Sequence, residues 1–251
     1  MITTVIALLV GLRAPQQDSS DVSKQSASQI MSKMFGHYAQ AKSVVGTIKM
    51  TQVAHGATIH TDTEMQFDRP ALIFLHQVRD GSQRHEWYLT SDGKEFSYDP
   101  PENRNPLLYG HRRMVEYVTQ HSTTLGLPDF LAAASRSLGD VNPMIESSIA
   151  QKDRLKRLIG QWATLVYRGK VTVDGQTVDA ISGQYREKLG DPITGQFEAY
   201  ISDSGDFVKY VLKQRLEFPQ ISKDPIEITT TWESGLKVDA QTNKSLYKVI
   251  S

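Results

Sequence analysis

The residues with chemically active side chains are scattered, and their spacing matches no catalytic or metal-binding motif. Residues 203–206 (Asp-Ser-Gly-Asp) partly resemble a calcium loop, but the segment is too short and has no closing glutamate. His55 and His60 flank a predicted hairpin turn and would need a third ligand to hold a metal ion. We therefore predict a turn at 203–206, surface positions for both histidines and no metal site.

The sequence also gives no indication of catalysis. It contains no Gly-x-Ser-x-Gly, no Gly-Lys-Ser/Thr phosphate loop, no His-Glu-x-x-His and no cysteine. His85 and Glu86 are adjacent on a predicted strand, so their side chains point to opposite faces of the sheet. We predict a protein that is not an enzyme, with no catalytic residues and no cofactor. A hydrolase whose site is assembled from distant residues is an alternative that the sequence leaves open.

The chemistry that the sequence favours is the binding of apolar molecules. Residues 64–100 contain four short strand patterns, separated by turn signals at Arg69-Pro70, 80–82 and 91–94. The strand predicted at 71–79 is apolar on both faces in its first half, whereas a sheet with one wet face alternates apolar and polar residues. Each face must therefore be covered. One cover is a packed helix, and the other is a second layer or a ligand cavity.

Length and composition allow one large all-β or α+β domain with a sizeable core, or two small domains. The chain has 251 residues, of which 39% are hydrophobic, and 28 basic residues balance 28 acidic ones. A nucleic-acid binder would carry a basic surplus, so no nucleic-acid partner is predicted. Residues 2–12 are apolar but too short to span a bilayer, which takes about 20 residues. We interpret residues 1–17 as a leader for export, with a frayed chain start as the alternative, and residues 18–251 as a single domain.

The remaining elements follow from periodicity and turn signals. Residues 26–41 have the apolar spacing of an amphipathic helix, whose Met residues and Tyr38 are expected to pack on the sheet. Three more helices are predicted, at 110–122, 128–138 and 142–159, the last with Asn142 as its N-cap. Strands are predicted on both sides of this helical block, at 44–53, 59–67, 162–173, 176–186, 196–202, 207–218, 226–233 and 245–250. The block is either a lid over a cavity or a helical subdomain packed on the sheet.

Two motifs resemble those of the periplasmic carriers of outer-membrane lipoproteins, the LolA-like proteins. The first is Phe67-Asp68-Arg69-Pro70 followed by an aliphatic and aromatic strand. The second is Thr90-Ser91-Asp92-Gly93-Lys94 followed by Phe96 and Tyr98-Asp99-Pro100. The resemblance covers roughly residues 25–100, and beyond them only the order of elements matches. This chain is longer than a typical carrier because of the helical insertion at about 107–159.

The resemblance implies a fold and a latch. The fold class is α+β, with a curved antiparallel sheet that forms an incomplete β-barrel, an N-terminal helix and an inserted helical lid. In carriers of this family the arginine of the Arg-Pro strand break hydrogen-bonds the lid in the closed, empty form, and that role would fall on Arg69. The alternative for Arg69 is an exposed charge at the end of a strand.

The same resemblance implies a ligand and a location. The cargo would be an acylated lipoprotein or another lipid, carried by a periplasmic monomer that contacts the membrane transiently and has envelope donor and acceptor proteins as partners. The predicted ligand-binding residues are Leu72, Phe74, Trp87, Leu89, Phe96 and Tyr98, and the predicted lid residues are Leu127, Phe130 and Leu131. The alternative is an envelope interaction domain of the same fold with a filled core.

Overall fold

A computed structural model describes residues 19–81, 85–93, 95–99, 114–117, 142–149, 152–217 and 224–248. Within these ranges there are three helices, α1 (Ser19–Gln40), α2 (Pro143–Ile149) and α3 (Lys152–Gln161). The strands are β1 (Ser43–Ala54), β2 (Ala57–Asp68), β3 (Leu72–Asp80), β4 (His85–Asp92), β5 (Glu95–Asp99), β6 (Met114–Tyr117), β7 (Val166–Val173), β8 (Gln176–Tyr185), β9 (Gly195–Ser202), β10 (Phe207–Leu216), β11 (Ile226–Ser234) and β12 (Lys237–Val238). A 3₁₀ turn follows at Lys244–Tyr247. No helix in the described part of the chain is long and apolar enough to cross a bilayer.

The strands form one curved antiparallel sheet in the order β6-β5-β4-β3-β2-β1-β11-β10-β9-β8-β7, with β12 paired to the start of β1. Among the described strands β6 and β7 do not pair, so the sheet is not closed into a barrel. The predicted fold class, an unclosed antiparallel sheet with an N-terminal helix and helices inserted between two runs of strands, is confirmed. Most connections are tight hairpins, as at Asp174-Gly175, where both residues have positive φ.

The sheet has an inner face, defined here as the face that carries Ile48, Met65, Leu75, Leu89 and Tyr210, all of which are buried in the core. The register puts these residues on one side because directly paired residues point the same way. Helix α1 contributes its predicted apolar stripe to this core, with buried residues Ala27, Met31, Met34 and Tyr38, and Ala41 directly after the helix is buried as well. The prediction that the methionines and Tyr38 pack in the core is confirmed.

The opposite, outer face of β2 and β3 is covered by the C-terminal segment. Gln66 and Asn243 exchange two hydrogen bonds, at 2.7 and 3.0 Å. Asp68 accepts from Thr242 Oγ1 at 2.6 Å and pairs with Lys244. This segment is the second layer that the apolar 71–79 strand required, because Phe74 is the register partner of Gln66 and lies on the same face.

Three predictions of secondary structure are corrected. Residues 114–117, predicted as part of a helix, form strand β6, because they extend the sheet by pairing with β5. Residues 244–247 form a 3₁₀ turn rather than part of a strand, since Asn243 caps the turn by accepting from the backbone of Ser245 at 3.1 Å. The helix predicted at 142–159 is two helices, α2 and α3.

Candidate functional site

Arg69 joins three parts of the fold. It follows β2 and donates through Nε to the carbonyl of Ala41 at 2.9 Å and through Nη2 to that of Tyr38 at 3.1 Å, at the C-terminal end of α1. The same Nη2 donates to the carbonyl of Ile149 at 2.9 Å and reaches that of Ser148 at 3.4 Å, at the end of α2. The last carbonyls of a helix have no partner within the helix, and its C-terminus favours a positive charge. One guanidinium therefore caps two helices.

The surroundings of Arg69 keep it charged and in place. Burial lowers the pKa of Arg69 below its usual value, because the guanidinium loses contact with water. Arginine nevertheless stays protonated in proteins, so the capping bonds are charge-assisted. The guanidinium carbon also lies 5.3 Å from the centre of the Phe67 ring. Arg69 is therefore not an isolated exposed charge, because it bonds the end of α2, which lies in the predicted insertion. Its role as a latch stays a prediction.

The inner face of β8 to β11 is filled by stacked aromatic rings, which we call the aromatic half. The Trp162 and Phe197 rings lie 5.5 Å apart, and the Tyr210 and Trp232 rings also lie 5.5 Å apart. Helix α1 packs on this half, since Phe35 stacks on Trp162 at 6.1 Å. Tyr38 Oη accepts from a backbone N–H of β10 at 3.1 Å, and burial raises the pKa of Tyr38 to about 12. In this half the rings and α1 pack together as core.

The inner face of β1 to β4, which we call the β1–β4 half, has a different composition. Its buried residues include Ile48, Met50, Thr61, Thr63, Met65, Leu75, Trp87 and Leu89. Flexible methionine side chains adapt to irregular partners, and polar groups stand among the apolar ones. Gln77 connects two of these polar groups, because it donates to Thr63 Oγ1 at 2.9 Å and accepts from Trp87 Nε1 at 2.7 Å.

The register divides the six predicted ligand-binding residues between the two faces. Trp87 and Leu89 point inward and are buried, and Tyr98 and Phe96 occupy the register positions opposite Leu89 and Ser91. Leu72 and Phe74 lie on the outer face of β3. The six therefore do not share one surface, because side chains alternate along a strand and the prediction combined both sides of β3.

The predicted lid residues Leu127, Phe130 and Leu131 lie outside the described residues, as do the leader at 1–17 and the helix at 128–138. Three further expectations, for the two histidines, the turn at 203–206 and the Asn142 cap, fall on described residues. His55 and His60 are exposed, and residues 203–206 form the turn between β9 and β10. Asn142 caps α2 by accepting from the N–H of Met144 at 3.0 Å and of Ile145 at 3.3 Å, as predicted. Within the described residues no group of three His, Asp or Glu side chains could hold a metal ion.

A cleft of about 1150 Å³ runs around the edge of the sheet at β7. Its apolar side includes Leu165, Ile181 and Phe197, and its polar side includes Glu198 and Lys213. None of the predicted ligand-binding residues lines it. The sequence signal that could have located this cleft is the first part of the strand predicted at 162–173, which is apolar on both faces.

Sequence reasoning also missed the polar residues of the inner face, among them Thr61 and Trp232. Both lie in strands that the sequence predicts, but no local pattern indicates which face of those strands points inward.

No protein-family model matches the chain. No curated protein matches it. Among solved structures, it is similar to the Mycobacterium tuberculosis lipoprotein LppX, with 11% identity and a TM-score of 0.44 over 88% of this chain and 99% of that one. It is similar to a chain of the Pseudomonas aeruginosa MucA/MucB complex, with 12% identity and a TM-score of 0.42 over 89% of this chain and 61% of that one. It is also similar to a LolA superfamily protein from Nitrosomonas europaea, with 8% identity and a TM-score of 0.28 over 88% and 97% of the two chains. These likenesses describe the fold alone.

Proposed function

We propose that the protein is an exported carrier that holds the acyl chains of a lipoprotein, or of another lipid, against the β1–β4 half of the inner face. It binds and releases its cargo without a cofactor and without chemical turnover. The observation that carries the proposal is the contrast between the two halves of one face. The aromatic half is packed with stacked rings and α1, whereas the β1–β4 half combines flexible methionines with buried polar groups.

The physical chemistry of acyl chains favours such a surface. Burying an acyl chain contributes about 0.8 kcal/mol for each CH₂ group, so a pair of long chains gains well over ten kcal/mol before the costs of ordering. An empty apolar surface of that size would collapse or aggregate unless helices cover it. Arg69 supports this part of the proposal, because its hydrogen bonds link the end of β2 to both α1 and α2.

The carrier in this proposal is exported to the periplasm. It contacts membranes transiently and exchanges cargo with envelope donor and acceptor proteins.

The test introduces a larger side chain on the inner face and compares its effect with that of the same substitution on the outer face of the same strand. Met50 points inward on β1, and Val53, three residues later, points outward and is 42% exposed. In Met50→Trp the added ring volume should prevent uptake of a synthetic diacylated lipopeptide, as measured by native mass spectrometry of protein purified without detergent. Val53→Trp should bind the lipopeptide as the wild type does.

Two further observations keep this test decisive. Met50→Leu conserves volume and should retain uptake, and circular dichroism with a thermal melt verifies that Met50→Trp is folded. Equal uptake by folded Met50→Trp and by the wild type would refute binding on this face. A wild-type protein that takes up no lipopeptide or lipid would favour the interaction domain with a filled core.

A further inference from the structure

In the part of the chain that the structure describes, two buried polar atoms on the inner face have no hydrogen-bond partner, namely Trp232 Nε1 and Thr61 Oγ1. Trp232 is 4% exposed and Thr61 is 3% exposed. Both are register neighbours of Met50, Trp232 on β11 and Thr61 on β2, so they lie on either side of it in one row across the sheet. Adjacent strands are about 4.8 Å apart, which puts their backbones roughly 10 Å from each other.

The other tryptophans show that this fold can satisfy a buried indole. The chain has three tryptophans. Trp87 Nε1 donates to Gln77 at 2.7 Å, and Trp162 Nε1 donates to Tyr210 Oη at 3.1 Å. Neighbouring polar groups are satisfied as well, since Gln52 Nε2 donates to Thr230 Oγ1 at 3.3 Å. Trp232 stands at the border between the aromatic half and the β1–β4 half, where the stacked rings end.

Buried polar groups in native proteins are almost always hydrogen-bonded, so two unpartnered groups beside one methionine call for an explanation. An indole N–H is a donor only, whereas a threonine hydroxyl both donates and accepts. The group that satisfies both is an acceptor oxygen surrounded by apolar surface. Ester and amide carbonyls at the head of an acyl chain have this character, and an ether-linked alkyl chain lacks the carbonyl.

We propose that Trp232 Nε1 and Thr61 Oγ1 donate hydrogen bonds to the ester or amide carbonyls of an acylated ligand bound on the inner face. This inference rests on the proposed function and specifies it further. The acyl carbons bind to the apolar residues of the β1–β4 half, and the two donors fix where the head of the chain stops. The shared chemistry is an acyl carbonyl, whether it comes from a diacylglyceryl cysteine or from a phospholipid.

The experiment measures the affinity ratio of ester-linked over ether-linked ligands of equal chain length. The probes are a diacylglyceryl-cysteine peptide and its dialkyl ether, and in a second arm a diacyl phosphatidylglycerol and its dialkyl ether. Wild-type protein should bind the ester forms about 5- to 30-fold more tightly, the ratio expected for one or two hydrogen bonds. Trp232→Phe and Thr61→Val should each reduce that ratio by about 2- to 5-fold, and Thr61→Ser should keep it.

Trp162→Phe is the matched control, because it removes an indole N–H that already has a partner in the aromatic half. It should leave the ester-to-ether ratio unchanged while lowering the thermal stability of the empty protein. Trp232→Phe should lower that stability less, because no hydrogen bond is lost. Comparing the ester-to-ether ratio of the peptide probes with that of the phospholipid probes shows whether the carbonyl comes from a diacylglyceryl cysteine or from a phospholipid.

The outcomes separate this inference from the function on which it rests. Wild-type protein that binds neither ester nor ether probes would overturn the proposed function itself. Tight binding of both forms with a ratio near one would leave the carrier intact and refute the carbonyl site. A reduced ratio in Trp232→Phe that also appears in Trp162→Phe would show a general effect of losing an indole and would likewise overturn the assignment.

Discussion

Replacing Arg69 by leucine should release α2 from the end of α1. The change removes the hydrogen bonds of 2.9 and 3.1 Å to the α1 end and of 2.9 Å to the α2 end. Hydrogen bonds to charged groups contribute about 1.5–3 kcal/mol each, and the bonds to one helix end are not additive. Because Arg69 is only half-buried, water replaces part of the loss. At roughly 1.5–2 kcal/mol for each helix end, we expect Arg69→Leu to lower the free energy of unfolding by about 3–4 kcal/mol.

The assay is hydrogen exchange of the backbone amides of α2, read together with a urea melt. In Arg69→Leu the amides of α2 should exchange faster than they do in the wild type. The amides of β8 and β9 are distant from the substitution and serve as the internal reference. Arg69→Lys retains a charge but lacks the planar fork that reaches both helices, so we expect about half of the loss. Arg215→Leu, at an exposed position on β10, should change stability by less than about 0.5 kcal/mol.

The same variants connect this contact to cargo exchange. If the Arg69 bonds hold the helices over the empty inner face, Arg69→Leu should release a bound lipopeptide at a different rate from the wild type. Unchanged exchange in α2 of folded Arg69→Leu would refute the capping role. Faster exchange with an unchanged release rate would leave Arg69 as a structural cap and refute its role as a latch.

Three smaller predictions concern the scaffold. In Gly183→Ala the added Cβ would come within 1.9 Å of the carbonyl oxygen of Thr164, so the backbone must shift. We expect the free energy of unfolding to fall by about 3 kcal/mol, which corresponds to a fall of roughly 6–12 °C in Tm. An unchanged Tm would contradict that close approach. Burial raises the pKa of the Asp206 carboxyl, but hydrogen bonds from two serine hydroxyls and from His37 outweigh it, so the pKa lies below its usual value. A lowered pKa contributes stability at pH values above the ordinary pKa of about 3.9, and this stability is lost as the pH falls through the pKa of the folded state. The difference in urea midpoint between wild type and Asp206→Asn should therefore be present at pH 7 and shrink at pH 3. A difference that does not change with pH would contradict the linkage. Asn142→Ala should cost about 1 kcal/mol through loss of the α2 cap, whereas Asn142→Asp keeps the acceptor and should be nearly neutral, as a urea melt of each variant would check.

Much of the local structure could be read from the residues themselves. Alternation along the strand predicted that Trp87 and Leu89 share one face and that Tyr88 lies on the other. The spacing of apolar residues in α1 predicted its buried stripe. The Asp-Gly pair at 174–175 predicted a hairpin, because glycine adopts positive φ without steric cost. Asn142 was identifiable as a cap since its side chain replaces a missing backbone partner. These features depend on neighbours within a few residues, and a sequence specifies such neighbours directly.

The site depended on contacts that no local pattern specifies. Residues 71–79 are apolar on both faces, and only the register decided that Ile73 and Leu75 point inward while Phe74 lies under the C-terminal segment. Residues 114–117 became a strand because β5 offered an unpaired edge, which local propensity alone does not predict.

Arg69 and Trp232 show the same limit most clearly. Arg69 bonds carbonyls 28 and 80 residues away in the chain, so its sequence neighbours were equally compatible with an exposed charge. Trp232 reads in the sequence as an ordinary strand residue, and its lack of a partner becomes visible only when β11 is placed beside β1. The sequence by itself determined most of the described helices and strands and their order, with residues 114–117 among the exceptions. The tertiary structure decided which side chains meet, because the pairing of distant strands fixes the face and the neighbours of every residue at once.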